Sequence, residues 1–292
     1  MPNAVRERLY TDFQDLYFRD PKFHRVKREK PKPERLHIGV ELEMEAVDGD
    51  DMHLAGILDA VIEDNKYNPD LWIYKGDGSL TNGAECVTQP FTWQYYRSQM
   101  KLGPVFDQFK AHGRPYTKHG RYSAGIHVHM SKAAFTDAHF YRFAKFHADN
   151  ESFCRSTVGR DANQYNSFDG LRSGGYRYNP LTYRTRRTTA DEKLRFGLRN
   201  PGSFGGHFSA VNNDNARTIE LRYFRSTQNE KRFRAIIEWV FALFYFTKVN
   251  RPLTPDAFKE FVYKHSIKYP HLIMALNNDP AVAAERFPTR AR

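Results

Sequence analysis

The chain of 292 residues is 40% hydrophobic and 15% aromatic, enough to bury a sizeable core. Its 45 Lys+Arg against 34 Asp+Glu leave a net charge of +11, which points to an anionic partner: nucleotide, phosphorylated intermediate, acidic peptide or nucleic acid. Two cysteines, Cys86 and Cys154, exclude a disulfide framework; with no signal-peptide core and no membrane-length apolar run, a soluble cytoplasmic protein is expected.

In chain order, residues 1–35 open with Val5, Leu9, Phe13 and Leu16 at helical spacing and pass into a basic, proline-containing segment, Lys22–Arg35. That segment reads as a solvated linker, with a nucleic-acid arm as the alternative. Residues 36–292 read as one domain, since no repeat, low-complexity tract or second linker divides them. Ile38–Ala46 alternates apolar and acidic residues at period two, a strand with Val40, Leu42 and Met44 on one face and Glu41, Glu43 and Glu45 on the other. His53–Tyr67 has helical spacing. Leu71–Lys75 and Ala84–Gln89 read as strands, joined through the turn Gly76-Asp77-Gly78-Ser79. Phe91–Gly113 reads as a helix broken near Gly103-Pro104, Gly125–Ser131 as a strand, and Ala133–Val158 as one long helix. Residues 159–206 are rich in Arg, Tyr and Gly with little periodicity, the mark of a functional or disordered stretch. Phe208–Val211 and Thr218–Phe224 read as closing strands. Helices are expected at Glu230–Val249, after the cap Thr254-Pro255, and at Tyr269–Leu276.

Four of these strands set an apolar face against a face that is costly to bury. Glu41, Glu43 and Glu45 belong to the first, and Glu85 to the second. His127 and His129 belong to the third, Glu220 and Arg222 to the fourth. Glutamate is a poor strand former, and two carboxylates brought to about 5 Å at an effective dielectric of about 20 repel by roughly 3 kcal/mol. A cation placed between them removes that cost. If the strands share a mainly antiparallel sheet with helices on its apolar face, an α+β fold, the other face is a floor of carboxylates, imidazoles and a guanidinium. Oxygen-rich ligands with one imidazole suit Mg²⁺ or Mn²⁺ better than Zn²⁺. No phosphate-binding Gly-x-x-x-x-Gly-Lys-Ser/Thr loop and no dinucleotide Gly-x-Gly-x-x-Gly accompanies the acidic strand.

Four motifs occur in order: Gly39-Val-Glu-Leu-Glu, Asp77-Gly-Ser-Leu with Gly83-Ala-Glu85, Gly125-Ile-His-Val-His129 and Thr218-Ile-Glu-Leu-Arg222. Across residues 36–226 the chain resembles the amidoligase family, carboxylate–amine ligases of the glutamine synthetase and glutamate–cysteine ligase superfamily. One departure is Ala124, where many members carry Cys. The resemblance implies a curved antiparallel sheet like that of the glutamine synthetase catalytic domain. It implies ATP and Mg²⁺ or Mn²⁺ as cofactors, with a carboxylate and an amine as substrates. It also implies Glu41, Glu43, Glu85, His127 and Glu220 as metal ligands, Arg222 as the neutraliser of a transferring phosphate, and Asp77 as an orienting group. Arg195, Arg199 and His207 are candidates for contacts to the nucleotide. Gly202, Gly205 and Gly206 would admit backbone amides to an anion, and Asn212 would line the pocket. Glu45 and His129 share the right faces at the sheet edge.

Two other classes stay open on the residues. A divalent-metal hydrolase would use the same carboxylates without requiring Arg222 beside Glu220. A basic nucleic-acid-binding protein with a remnant site would use the Arg/Tyr interleaving of Arg172–Arg187, including Tyr176, Tyr178 and Tyr183. No membrane partner is expected.

Overall fold

The computed structural model describes residues 34–50, 53–54, 56–58, 60, 71–76, 79–115, 124–161, 166–173 and 208–282. It is α+β, with helices and mainly antiparallel β-structure. The chain divides into two compact units. One is Met1–His127 with Arg225–Phe233 and Ala283–Arg292; the other is Val128–Phe224 with Arg234–Val282.

In the first unit, β1 (Ile38–Ala46) is the nine-residue strand expected from its alternation. It pairs antiparallel with β3 (Gly83–Thr88), which pairs on its other side with β2 (Trp72–Gly76). Its last residues pair with the two-residue β4 (Gly113–Arg114). On the side away from β3 lies the start of β5 (Gly125–Ser131). Because β1 has a strand on each side, its backbone donors and acceptors are satisfied and its side chains alone decide what each face can bury. Both faces are buried: Val40, Leu42 and Met44 are fully enclosed, and so, nearly, are the three glutamates.

Helix α1 (Trp93–Ser98) starts where Thr92 Oγ1 accepts the Tyr95 N–H, and α2 (Gly103–His112) starts at the expected Gly-Pro break. Phe106 and Phe109 of α2 pack edge to face, and Phe106 also meets Phe233. The segment that follows β1 is helical at the described residues 53–54, 56–58 and 60.

The second unit continues β5 and pairs β6 (Val211–Asn212) antiparallel with β7 (Thr218–Arg225), matching Val211 to Leu221 and Asn212 to Glu220. The strand expected at Phe208–Val211 is shorter and lies further along. Phe208 is half exposed, and Ser209 bridges to Ser167 instead.

The long helix expected over Ala133–Val158 is three pieces. A single 3-10 turn spans Lys132–Ala134 and Phe135 is extended; α3 (Asp137–Asp149) and α4 (Glu151–Val158) follow. The breaks have side-chain causes. Thr136 Oγ1 caps α3 by accepting the His139 N–H, and Asn150 at the α3–α4 junction donates from Nδ2 to the carbonyls of Phe146 and Leu253.

A short α5 (Asp169–Ser173), α6 (Glu230–Lys248), α7 (Pro255–Lys264) and α8 (Pro270–Leu276) complete the helices. Thr254 caps α7 as expected, accepting the Ala257 N–H. On the apolar face of β7, Tyr223 is enclosed by Phe168, by His147 of α3 and by Trp239 of α6. Both cysteines are free and buried. Among the described residues no helix is long and apolar enough to cross a membrane.

Candidate functional site

The first unit gathers its carboxylates by strand register. Glu43 of β1 stands directly opposite Glu85 of β3, while Glu41 stands opposite Val87. Directly opposed side chains on an antiparallel pair have Cβ atoms about 5 Å apart, and like charges there destabilise the sheet. Glu43 and Glu85 are only 4% and 2% exposed, so water screens them little. The register itself is enforced at Gly83, opposite Glu45: a Cβ there would stand 2.2 Å from the Met44 carbonyl oxygen, so only glycine lets β3 approach β1 so closely.

His127 enters from β5. Its Nδ1 lies 3.2 Å from Glu41 Oε2 and its Nε2 lies 3.5 Å from Glu43 Oε1. A neutral imidazole carries one N–H, so it can donate to one of these carboxylates only. The other contact is favourable only with a second proton or a cation between the groups. Glu43 Oε2 also accepts the Gly125 N–H at 2.5 Å. Glu45 has a different task. Its two oxygens accept the backbone N–H groups of Thr81 and Asn82, tying the loop before β3 to the end of β1.

In the second unit, Glu220 and Arg222 share a face of β7 as the alternation requires, and Arg222 donates directly to Glu220 Oε1. Glu220 Oε2 accepts from Asn212 Nδ2 at 2.9 Å and from Asn215 Nδ2 at 3.4 Å. Asn212 Oδ1 in turn accepts the Asp214 N–H, which fixes which end of the amide faces the carboxylate. His129 is half-buried on β5, with Nδ1 3.1 Å from Thr218 Oγ1.

Behind β7, Trp239 Nε1 donates to the Tyr223 hydroxyl, which donates to His147 Nε2; His147 Nδ1–H donates to the Phe143 carbonyl. Full burial holds this imidazole neutral and pushes its pKa down to about 4.

Of the residues singled out from sequence, Glu41, Glu43, Glu85 and His127 are brought together in one unit, and Glu220, Arg222 and Asn212 in the other. Asp77, Arg195, Arg199, His207, Gly202, Gly205 and Gly206 lie outside the described residues, as does most of 159–206. The sequence pattern did not single out Asn215, which donates to Glu220, or Lys132, whose ammonium donates to carbonyls of the β6–β7 loop. The polar run Asn212-Asn-Asp-Asn215 just ahead of an acidic strand was the signal that could have found the loop.

The donor set fits a hard divalent cation. It offers carboxylate oxygens and an imidazole, and β alternation turns the nearby Cys86 to the opposite face from Glu85. No family model matches this sequence, and no match was found among curated proteins.

Proposed function

We propose that this protein is an ATP-dependent carboxylate–amine ligase with a glutamine synthetase-like catalytic fold, working with Mg²⁺ or Mn²⁺. The observation that carries the proposal is the buried, directly opposed pair Glu43 and Glu85, with His127 set against Glu41 and Glu43. Burying two opposed carboxylates is costly, and a cation between them removes that cost. Glu41, Glu43, Glu85 and His127 would hold the metal; the motif resemblance adds Glu220 to the ligands and gives Arg222 to the phosphate.

When bound, the metal supplies charge neutralisation to ATP phosphates. The chain's own groups account for the rest. A carboxylate is inert toward an amine because its oxygen is a poor leaving group. Phosphoryl transfer from ATP converts that oxygen to phosphate, and the amine then displaces it. Such a transfer needs positioning and charge stabilisation more than covalent help. Arg222 provides a fixed guanidinium whose direction is set by Glu220. Glu45 stiffens the loop that leads into Glu85. The net charge of +11 favours approach of an anionic nucleotide.

The test follows one oxygen atom. Screening amino acids and peptides for ADP release identifies a substrate pair, and the acid is then labelled with ¹⁸O in its carboxylate. A ligase delivers one labelled oxygen to inorganic phosphate for each amide formed. Phosphate labelled only from solvent water, or ATP loss without an amide, contradicts the proposal and favours the metal-dependent hydrolase.

A further inference from the structure

Lys132 follows β5 directly, and its contacts differ from those of a surface lysine. Its ammonium donates to two main-chain carbonyls of the β6–β7 loop, Asn213 at 2.6 Å and Asn215. Its backbone N–H donates to the Arg217 carbonyl at 2.9 Å. One residue therefore grips the loop at 213, 215 and 217. Burial disfavours the charged ammonium, and nearby Asp214 opposes that effect. The same loop supplies Asn212 Nδ2 and Asn215 Nδ2 to Glu220 Oε2, and the Asp214 N–H to Asn212 Oδ1.

We infer that Lys132 is a positioning residue: by drawing the Asn213 and Asn215 carbonyls around its ammonium, it aims the Asn212 and Asn215 amides at Glu220 and fixes that carboxylate. The five-residue turn 213–217 samples many conformations when left alone, because the side chains of Asn213, Asp214 and Asn215 compete for local backbone groups. An ammonium enclosed by convergent carbonyls selects one of them. Lys132 touches Glu220 through the loop only, so it acts without contacting substrate. This inference rests on the proposed role of Glu220 as a metal ligand. Partners of ligating carboxylates commonly change metal affinity 10- to 100-fold when removed.

The experiment uses the full chain and the variants Lys132→Met, which keeps the stem and removes the charge, and Lys132→Arg, which restores a charge. With asparagine labelled by ¹⁵N, the side-chain amide signals of Asn212 and Asn215 should move toward free-amide positions in Lys132→Met. They should move in the same direction in Glu220→Gln, and return in Lys132→Arg. Hydrogen exchange should accelerate over 211–218 while 239–247 in α6 keeps its protection. Unmoved amide signals and unchanged exchange would overturn the inference, whatever the metal does.

Mn²⁺ titration then tests the link to the site. Lys132→Met should weaken binding about tenfold in the wild-type background and leave it unchanged in a Glu220→Gln background. An equal loss in both backgrounds overturns action through Glu220. Absence of Mn²⁺ binding by the wild type itself sinks the metal reading instead, and the amide signals still decide the role of Lys132.

Discussion

Two glutamates facing each other across a strand pair set the terms at the residue scale. Glu43→Gln removes one charge from the pair with Glu85 and keeps an acceptor for the Gly125 N–H. In chelator its melting temperature should equal or exceed that of the wild type, since roughly 3 kcal/mol of repulsion is relieved at about 5 Å and a dielectric of about 20. A lower melting temperature would show that Glu43 is stabilised without a cation. Arg222 and Glu220 present the opposite case, a buried pair of opposite charges in direct contact. Arg222→Ala removes the opposite charge beside a buried carboxylate and should cost about 3 kcal/mol or more. Adding Glu220→Gln should recover part of the loss, and a double-mutant cycle in urea reads the coupling. Simple additivity would mean the two side chains act independently.

At the element scale, β1 is held in register by the absence of a side chain at Gly83. Gly83→Ala puts a Cβ into the Met44 carbonyl, and β3 has to move. The expected loss is about 3 kcal/mol, with faster exchange of the β1 and β3 amides and no change in α6. A neutral outcome would mean the register is set elsewhere.

The strands were legible in the sequence because burial of two unlike faces writes a period of two directly into the residue order. Ile38–Ala46 and Gly125–Ser131 were therefore found to the residue. The helix breaks at Thr136 and Asn150 were not, because the apolar spacing runs through them and only hydrogen bonds made by single side chains interrupt it. The β6 strand was misplaced because two paired residues carry too little pattern to read. The carboxylates and His127 were legible as faces, but the opposition of Glu43 to Glu85 depends on register, which no single strand encodes. Lys132 was invisible for the same reason: its partners are backbone carbonyls about 80 positions away.

At the scale of the whole molecule, α3 carries two buried neutral histidines. His147 is fully enclosed, and His139 bonds the Phe244 carbonyl and Thr247 hydroxyl; both pKa values are lowered to about 4, chiefly by burial, with Arg142 and Lys248 contributing at His139. An unfolded histidine titrates near 6.5, so the unfolded chain binds protons that the folded chain refuses. Their contribution is fully present above about pH 6.5 and is lost as pH falls toward 4, by up to about 3 kcal/mol for each group. Urea midpoints should drop steeply between pH 7 and 5, and His147→Gln should flatten part of that slope. A flat profile in the wild type would contradict the buried neutral state.

The proposed role of Glu41, Glu43, Glu85 and His127 is to hold a divalent cation, and the decisive measurement is Mn²⁺ binding. Titration calorimetry on the full chain, paired with melting in chelator and in Mn²⁺, gives both affinity and linkage. Binding should be saturable, and the melting temperature should rise with Mn²⁺ by the equivalent of about 2.7 kcal/mol at a hundredfold excess over Kd. Both effects should be lost in Glu85→Gln. No binding heat, with identical melting in chelator and in Mn²⁺, would contradict that role.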